Sequence, residues 1–405
     1  MSNDGHPPTG DGSAASTLRI LAFGTYQADT HPRVRALIEG LRELGHEVIE
    51  VNEPLGLSTA ERVAMLRRFW RLPALGVRIA HRWARLIRRG RRAVREAARR
   101  GQPVDAVLVG YLAHFDVRLA RRVFRDQLIL LDHLIFAANT ATDRGQKSPV
   151  INRALQRLDH RAMSAADVIV VDTAEHRDRV PEELRARAVV CPVGADASWF
   201  RAGAAAAPPD LAATGELRVV FYGLYTPLQG AEVIGSALRL LADQPIRATM
   251  IGSGQDLPRA RRLAGAGARA EWIDWVPADQ LPAVVADHHV ALGIFGTSDK
   301  ARNVVPNKVY QSAAAGCAIV TSDTAPQRRA LAGQVELVDP GSPEQLAAAL
   351  RRLQSDPQLL ASRRRQAAAL AAREFSAAAA AQPLAARVDE ILRRPATPGA
   401  MITCG

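Results

Sequence analysis

The chain has 405 residues, of which 48% are hydrophobic and 23% charged, and its formal net charge is +12. This length exceeds one typical hydrophobic core and predicts two domains of about 200 residues each. The composition is that of a globular protein, and no run approaches the roughly 18 apolar residues of a membrane-spanning helix. Cys191, Cys317 and Cys404 are too few and too widely spaced for a disulfide framework or a zinc site, which favours the cytoplasm.

The first half of the chain alternates short apolar strands with helices. Residues 1–17 are rich in Gly and Ser without an apolar core, so they predict a disordered tail and not a signal peptide. A helix capped near Thr30 and ended by Gly45 follows the first strand. Residues 18–200 are therefore expected to form one domain, with strands at 18–23, 47–51, 106–109, 128–131 and 168–171.

A strongly basic segment interrupts this alternation. Between Arg67 and Arg100 there are thirteen arginines and one acidic residue, Glu96. We interpret residues 60–100 as an inserted helical region whose basic amphipathic face, with tryptophans at its edge, suits an anionic membrane surface. A solvated helix face is the plain alternative. Nucleic-acid binding is not expected, since no recognisable binding module accompanies the arginines.

The second half repeats the alternation. Near-continuous apolar strands between amphipathic helices indicate buried parallel sheets. Two doubly wound domains are predicted, with ligands bound at the carboxyl ends of the strands, in the cleft between the domains. The predicted parts are a linker at 201–215, a domain at 216–375, a helix at 376–395 that returns to the first domain, and a tail at 396–405, with strands at 217–222, 247–251, 270–273, 290–295, 318–321 and 335–338.

The stretch 300–323 carries the strongest functional signal. Pro306 suits the first turn of a helix, where backbone amides are still free. The small residues 313–316 allow that helix to lie close to the strand that follows. Free amides together with the cations Lys300, Arg302 and Lys308 predict a diphosphate-binding site.

Several spaced motifs resemble family 4 of the retaining GT-B glycosyltransferases. Pro306-Asn-Lys308 followed by Ala315-Gly316 is similar to the family's Pro-x-Lys-x-Phe-Glu-x-x-Ala-x-Gly run. Pro192-Val-Gly-Ala-Asp196 resembles its domain-junction signature, and Ile251-Gly-Ser-Gly254 its Ile-Gly-x-Gly turn. The resemblance implies a GT-B fold of two Rossmann-like domains and a hexosyltransferase that needs neither a cofactor nor a metal. It also implies that a sugar passes from a nucleotide-sugar to an acceptor hydroxyl with retention of configuration.

The resemblance also implies a set of donor-binding residues, with departures from the family pattern. The arginine that the family places after the glycine at Gly223 is missing. Gln229 stands in place of a lysine, and Gln311 and Asn303 stand in place of two acidic residues. Glutamine still hydrogen-bonds ribose hydroxyls but supplies no charge. Trp275 precedes the segment expected to contact the base, although a packed core tryptophan is an equal alternative. The implied donor-binding residues are Gly24, Gly223, Gln229, Gly252, Gly254, Val276, Lys300, Arg302, Asn303, Val304, Val305, Pro306, Lys308 and Gln311.

In the N-terminal domain, His133 ends an apolar strand at the expected cleft edge. The resemblance implies that His133 contacts the donor sugar, with Asp132 orienting it or binding an acceptor hydroxyl. A structural histidine is the alternative. Candidate acceptor-binding residues are Tyr26, Arg33, Asp143 and Arg144. Near strand ends, Asp143, Arg144, Asp172 and Thr173 either shape the acceptor pocket or, the interpretation we favour, act as cap and turn residues. No residue pattern predicts a metal site, because His288 and His289 have no third ligand at suitable spacing.

Two alternatives to the transferase remain open. A nucleotide-sugar epimerase of the same fold would need cleft carboxylates for proton transfer, and Asn303 and Gln311 leave few. A catalytically silent protein that binds a sugar or a partner is favoured by Gln229 and Gln311. The acceptor is a glycolipid, a polysaccharide precursor or a secondary metabolite. We expect a cytoplasmic protein that can lie on the inner face of the membrane.

Overall fold

The computed structural model describes residues 17–26, 32–54, 72–110, 113–143 and 145–394. Two parallel six-stranded sheets, each flanked by helices on both faces, form two domains. The chain passes from the first domain to the second after its sixth strand and returns to the first with its last helix. This confirms the predicted α/β class with doubly wound domains. The described residues leave out both predicted tails apart from residue 17, the part of the basic segment up to Arg71, and Arg144. No helix among the described residues is long and apolar enough to cross a bilayer.

The N-terminal sheet has the strand order β2-β1-β3-β4-β5-β6. Its strands are β1 (Arg19–Gly24), β2 (Glu47–Asn52), β3 (Ala106–Val109), β4 (Leu128–Asp132), β5 (Val168–Val171) and β6 (Ala188–Val190). Its helices are α1 (Pro32–Glu43), α2 (Leu72–Arg99), α3 (Asp116–Val123), α4 (Ala137–Asp143), α5 (Pro149–Ser164) and α6 (Ala174–Arg179). The predicted strands are present within one residue at each end, and β6, which is only three residues long, was not predicted.

The predicted helix of the basic segment is present as α2, but its interpretation as an insertion is wrong. Helix α2 connects β2 to β3, which lie on opposite sides of β1, and parallel strands of one sheet need a crossover of this kind. Leu86 is fully buried against the sheet, and the indole of Trp83 donates to Asp116 Oδ1 at 2.9 Å. The apolar stripe of α2 therefore faces the protein core, and its arginines occupy the outer face.

The C-terminal sheet has the order β12-β11-β10-β7-β8-β9. Its strands are β7 (Leu217–Tyr222), β8 (Ile246–Ile251), β9 (Ala270–Ile273), β10 (Val290–Leu292), β11 (Ala318–Ser322) and β12 (Glu336–Val338). Its helices are α7 (Ala197–Ala205), α8 (Leu211–Thr214), α9 (Ala231–Leu240), α10 (Leu257–Ala264), α11 (Leu281–Ala286), α12 (Asp299–Arg302), α13 (Asn307–Ala314), α14 (Ala325–Leu331), α15 (Pro343–Ser355) and α16 (Pro357–Leu370). The segment 201–215 contains the end of α7 and all of α8.

Strand β10 ends three residues earlier than predicted. Beyond Leu292, the amide of Gly293 still donates to the carbonyl of Val320 in β11 at 2.8 Å, and the amide of Phe295 donates to the carbonyl of Gln229 at 3.0 Å. Gln229 of the predicted donor site therefore lies against the chain that follows β10.

The last helix, α17 (Ala377–Arg393), returns to the N-terminal domain. Its buried residues Ala381, Leu384 and Val388 complete the core on one face of the N-terminal sheet. Helix α1 approaches it so closely that a Cβ at Gly40 would lie 1.9 Å from the carbonyl oxygen of Ala377. Only glycine permits this contact, because no real Cβ atom tolerates such a distance.

Candidate functional site

The two domains meet through polar contacts between α4 and α12, at the carboxyl ends of their sheets. Ser298 Oγ donates to Asp143 Oδ1 at 2.6 Å, and Lys300 Nζ donates to Thr140 Oγ1 at 3.1 Å. Asp143 and Lys300, which the sequence assigned to acceptor and donor binding, thus both contribute to the domain contact. Hydrogen bonds between two short helices therefore connect the domains at the cleft.

A second set of contacts closes the same edge. Thr173 Oγ1 donates to the carbonyl of Asn303 at 2.9 Å and accepts from the amide of His176 at 3.1 Å. The prediction that Thr173 is a cap residue is confirmed, since it caps α6 through this bond. Arg179 at the end of α6 pairs with Asp299 at 2.7 Å.

Lys308 is the central cation of the C-terminal half of the cleft. It lies in the first turn of α13 and is 6% exposed. Its Nζ donates to Gln229 Oε1 at 2.6 Å and lies 3.7 Å from the ring centroid of Phe221. Burial lowers the pKa of Lys308 well below its usual value, because the ammonium has lost its water and gained no carboxylate. Lys308 is therefore a desolvated cation whose partners within the described part of the chain are all neutral.

Gly223 leaves open the space in front of this cation. Its φ is +139°, and a Cβ there would lie 3.3 Å from Lys308 Nζ. A side chain at this position would be strained and would crowd the ammonium, so glycine keeps the approach clear. Gly252 and Gly254 follow β8 and lie directly against the backbone of Gly223 and Tyr225.

Gln311 lies one helical turn beyond Lys308 and is also buried. Its Oε1 is 3.5 Å from the hydroxyl of Tyr222, which has a shorter contact of 3.0 Å with Ser312 Oγ. The amide of Gln311 is therefore weakly held.

Among the other predicted donor residues, some are exposed to solvent and others are buried in the core. Arg302 is exposed, and Trp275 is 73% exposed, so the alternative of a core tryptophan is wrong. Val276 is half-buried, and Val305 belongs to the C-terminal core. Val304 packs in a small cluster with Ile294 and Ala301. Pro306 occupies the cap position before α13, one residue outside the helix, with an extended ψ of 147°.

Arg33 and Asp132 form a buried ion pair beneath the N-terminal half of the cleft. Arg33 Nε lies 3.2 Å from Asp132 Oδ1, and Nη1 donates to the carbonyls of Cys191 and Pro192 at 2.8 and 2.5 Å. Burial raises the pKa of Asp132, and the guanidinium partly offsets that rise. Arg33 thus ties β4 to the chain segment that crosses between the domains.

His133 belongs to a buried cluster whose other members the sequence analysis missed. His114 Nε2 lies 2.7 Å from Asp159 Oδ1, while His133 Nε2 is 3.8 Å from the same oxygen and has no hydrogen-bond partner in the described part of the chain. His176 Nδ1 lies 2.5 Å from Asp172 Oδ1. His114 and His176 follow β3 and β5, so their position after neighbouring parallel strands was the available signal.

The ligand atoms of His114, His133 and Asp159 all lie within 4.8 Å of one another. Asp159 Oδ1 also accepts the amide of Ala137 at 2.9 Å, and Oδ2 accepts that of Ala138 at 3.3 Å. Asp159 therefore satisfies the first amides of α4 and the ring of His114. These hydrogen bonds explain why the Asp159 carboxylate is buried at this position.

Burial, with the neighbouring His114, lowers the pKa of His133 to about 3. The unfolded chain binds a proton near pH 6.5 and the folded protein does not, so this group lowers stability as the pH falls below 6.5. We expect the free energy of unfolding of the wild type to fall by about 2 kcal/mol between pH 6.5 and 5 through this group alone. His133→Asn should lose less stability over that range in urea titrations. His81→Asn, at an exposed position on α2, should follow the wild type, and identical acid sensitivity of all three proteins would contradict the prediction.

The remaining predicted residues lie outside the histidine cluster. Gly24 ends β1, and a Cβ there would lie 3.3 Å from both Asp116 Oδ2 and the ring of Tyr26. Tyr26 is 2% exposed within the N-terminal core, and its hydroxyl has no partner among the described residues. His288 bonds to Thr249, and His289 to the carbonyl of Pro209 at 2.6 Å.

Comparisons with known proteins agree with this geometry. Residues 216–356 match the family model described as glycosyl transferases group 1. No curated protein matches the sequence. Sucrose-phosphate synthase from Thermosynechococcus elongatus is similar in structure, with a TM-score of 0.63 and 13% identity, over 93% of this chain and 99% of that one.

Two further solved structures share the fold. Anabaena HepE in complex with UDP and glucose has a TM-score of 0.61 and 13% identity, over 94% of this chain and 100% of that one. A trehalose-phosphate synthase from Burkholderia vietnamiensis has a TM-score of 0.59 and 16% identity, over 93% of this chain and 99% of that one. At these identities the likeness is one of fold, and membership of family 4 stays a prediction. The chain has the two-domain fold of the GT-B glycosyltransferases, and the strands and helices at 216–356 match the group 1 glycosyl transferase family.

Proposed function

We propose that this protein is a glycosyltransferase that moves a hexosyl group from a nucleotide-diphosphate sugar to an acceptor hydroxyl. The observation that carries the proposal is Lys308, a buried cation beside Gly223 that pairs with no carboxylate of the described residues. A cation that is desolvated in this way stabilises a developing negative charge far more than a solvated one. The family match over 216–356 includes this position.

The donor diphosphate would lie between Gly223 and the start of α13. There it would replace Gln229 as the partner of Lys308 and accept hydrogen bonds from amides of the first turn. The exposed Trp275 and the half-buried Val276 follow β9 at the same sheet edge and would contact the base. Gln311 would bind ribose. Because Anabaena HepE is described in complex with UDP-glucose, a UDP-sugar is the first donor to examine.

We propose further that transfer retains the anomeric configuration and needs no divalent metal. Lys308 would stabilise the leaving diphosphate, which is the role that a metal takes in other transferases. His133, which burial keeps neutral, would contact the donor sugar from the N-terminal side. The acceptor would enter between the domains, and contacts such as Ser298 to Asp143 would close the site and exclude water.

The test is a panel of UDP-, GDP-, TDP- and ADP-sugars, measured by thermal shift and by donor hydrolysis with and without EDTA. We expect one donor to stabilise the protein and to be hydrolysed slowly, equally well with EDTA. Loss of hydrolysis in EDTA would overturn metal independence. Absence of stabilisation by every donor would favour a catalytically silent protein that binds another partner.

We also propose that the outer face of α2 binds an anionic membrane surface. Arg88, Arg91 and Arg95 are exposed and pair with no carboxylate among the described residues. Since the apolar stripe of this helix packs on the core, the attraction would be electrostatic, with roughly 1 kcal/mol from each arginine near the surface.

The substitutions Arg88→Gln, Arg91→Gln and Arg95→Gln together should lower the affinity for vesicles containing phosphatidylglycerol by about 100-fold. Cosedimentation with neutral and anionic vesicles measures this. A control with the same charge change at exposed positions elsewhere carries Arg122→Gln, Arg161→Gln and Arg201→Gln. Equal losses in both variants would show that only net charge matters, and the membrane face would be rejected.

A further inference from the structure

A basic cavity opens beside the histidine cluster of the N-terminal domain. Its volume is about 540 Å³, within the range of sites for small molecules. It is bounded by α4, by one face of α5 and by the end of α6, and Arg153, Arg157 and Arg179 line it. None of the predicted site residues that the structure describes lines this cavity.

The charges around the cavity are strongly unbalanced. Arg153 and Arg157 lie four residues apart on α5, so their side chains share one face and repel each other. Neither pairs with a carboxylate among the described residues. The one carboxylate in the lining, Asp159, is turned to His114 and to the amides of α4. His160, also in the lining, lies 3.0 Å from Glu183.

The geometry of these groups favours a phosphate. Each guanidinium group presents a fork of N–H donors that matches the oxygens of carboxylates and phosphates, and two cations one helical turn apart favour the more highly charged phosphate. Phe136 and Met163 supply an apolar wall in the same cavity. A ligand with a phosphate and a less polar body fits both parts of the lining.

The cavity is connected to the cleft through two of its walls. Phe136 lines it and also contacts His133, with ring centroids 4.7 Å apart. Arg179 lines it and bonds Asp299 of the other domain. An anion held at Arg153 and Arg157 would therefore lie next to the group expected to contact the donor sugar and next to a domain contact.

We propose that this cavity binds the phosphate group of a phosphorylated acceptor. The assignment of the ligand as the acceptor rests on the proposed glycosyltransferase function, whereas phosphate binding by the cavity does not. The phosphate would anchor the acceptor at a distance from its reacting hydroxyl, and this binding energy would hold the hydroxyl toward the donor sugar. A soluble sugar phosphate and a lipid phosphate would present the same chemistry.

Isothermal titration calorimetry with three probes tests the proposal: inorganic phosphate, glucose 6-phosphate and soluble dihexanoyl phosphatidic acid. The wild type should bind at least one of them, and Arg153→Gln/Arg157→Gln should weaken that binding roughly tenfold or more. Preference for glucose 6-phosphate or for the lipid identifies the source of the phosphate. The matched control Arg122→Gln/Arg161→Gln makes the same charge change, with Arg161 on the same helix and outside the cavity.

Equal weakening in both variants, or no binding of any probe by the wild type, would overturn the proposal. UDP binding, measured in the same samples, should be unchanged in Arg153→Gln/Arg157→Gln, because these residues lie in the other domain from Lys308. If no protein binds UDP while the cavity variant alone loses phosphate, the transferase function fails and the anion site stands. If UDP binds normally and phosphate binding is indifferent to Arg153 and Arg157, only the cavity proposal fails.

Discussion

Replacing Lys308 with methionine is expected to weaken donor binding strongly and to make the unliganded protein more stable. The ammonium of Lys308 is buried against Phe221 with only Gln229 as a polar partner. Removing a buried cation that pairs with a diphosphate should weaken UDP binding by roughly 100-fold or more. The same substitution relieves the cost of burying a charge, so the free energy of unfolding should rise by about 1 kcal/mol despite the lost bond to Gln229.

Titration of UDP and urea unfolding measure the two effects on the same protein. The folded pKa of Lys308 is depressed, so the unfolded state binds more protons and wild-type stability rises with pH toward 10.5. The advantage of Lys308→Met should therefore shrink as the pH rises. Lys147→Met, at an exposed position, should change neither UDP affinity nor stability. A variant that still binds UDP like the wild type would contradict the assignment of the donor site.

Replacing Arg33 with methionine should produce the largest loss of stability, because it leaves a buried carboxylate without its counter-charge. Arg33 is 1% exposed and Asp132 is 2% exposed. Removing one partner of such a pair costs about 3–5 kcal/mol. The carbonyls of Cys191 and Pro192 would also lose their donor. Urea unfolding at several pH values measures the loss.

The pH dependence distinguishes the ion pair from a simple packing defect. Without Arg33 the pKa of Asp132 rises further, so the unfolded state loses this proton first and the variant becomes less stable as the pH rises. The deficit should be smaller at pH 5 than at pH 8. Arg33→Met combined with Asp132→Asn should recover part of the stability. An equal deficit at both pH values, unrelieved in the double variant, would show that packing alone is affected.

Local sequence patterns predicted most of the fold because buried parallel strands are nearly continuous apolar runs. The strands from β1 to β12 followed this pattern, except for the short β6 and the early end of β10. The error at α2 has a physical cause. A crossover helix at the edge of a domain buries one narrow stripe, here at Trp83 and Leu86, and the dense arginines of its outer face dominate the sequence.

The local backbone of the candidate site was predictable at Gly223 and at the start of α13, while the roles of the residues there stay predictions. The site was not predictable where residues distant in sequence meet. Lys308 and Gln229 are 79 positions apart, and His114 and Asp159 are 45 apart. Such pairs depend on strand order and on the angle between helices, neither of which a motif encodes. The same limit hid the cavity at Arg153, whose walls come from three separate helices.

Helix α17, the last described element, has a consequence for the order in which the chain is synthesised. The N-terminal sheet is made first, yet one of its faces is covered by Ala381, Leu384 and Val388, which leave the ribosome about 200 residues later. Until then, Leu37, Leu41 and the other apolar residues that α17 covers are open to solvent. The nascent first domain therefore exposes an aggregation-prone apolar surface while the second domain is synthesised. A chain truncated before residue 377 would expose this surface permanently.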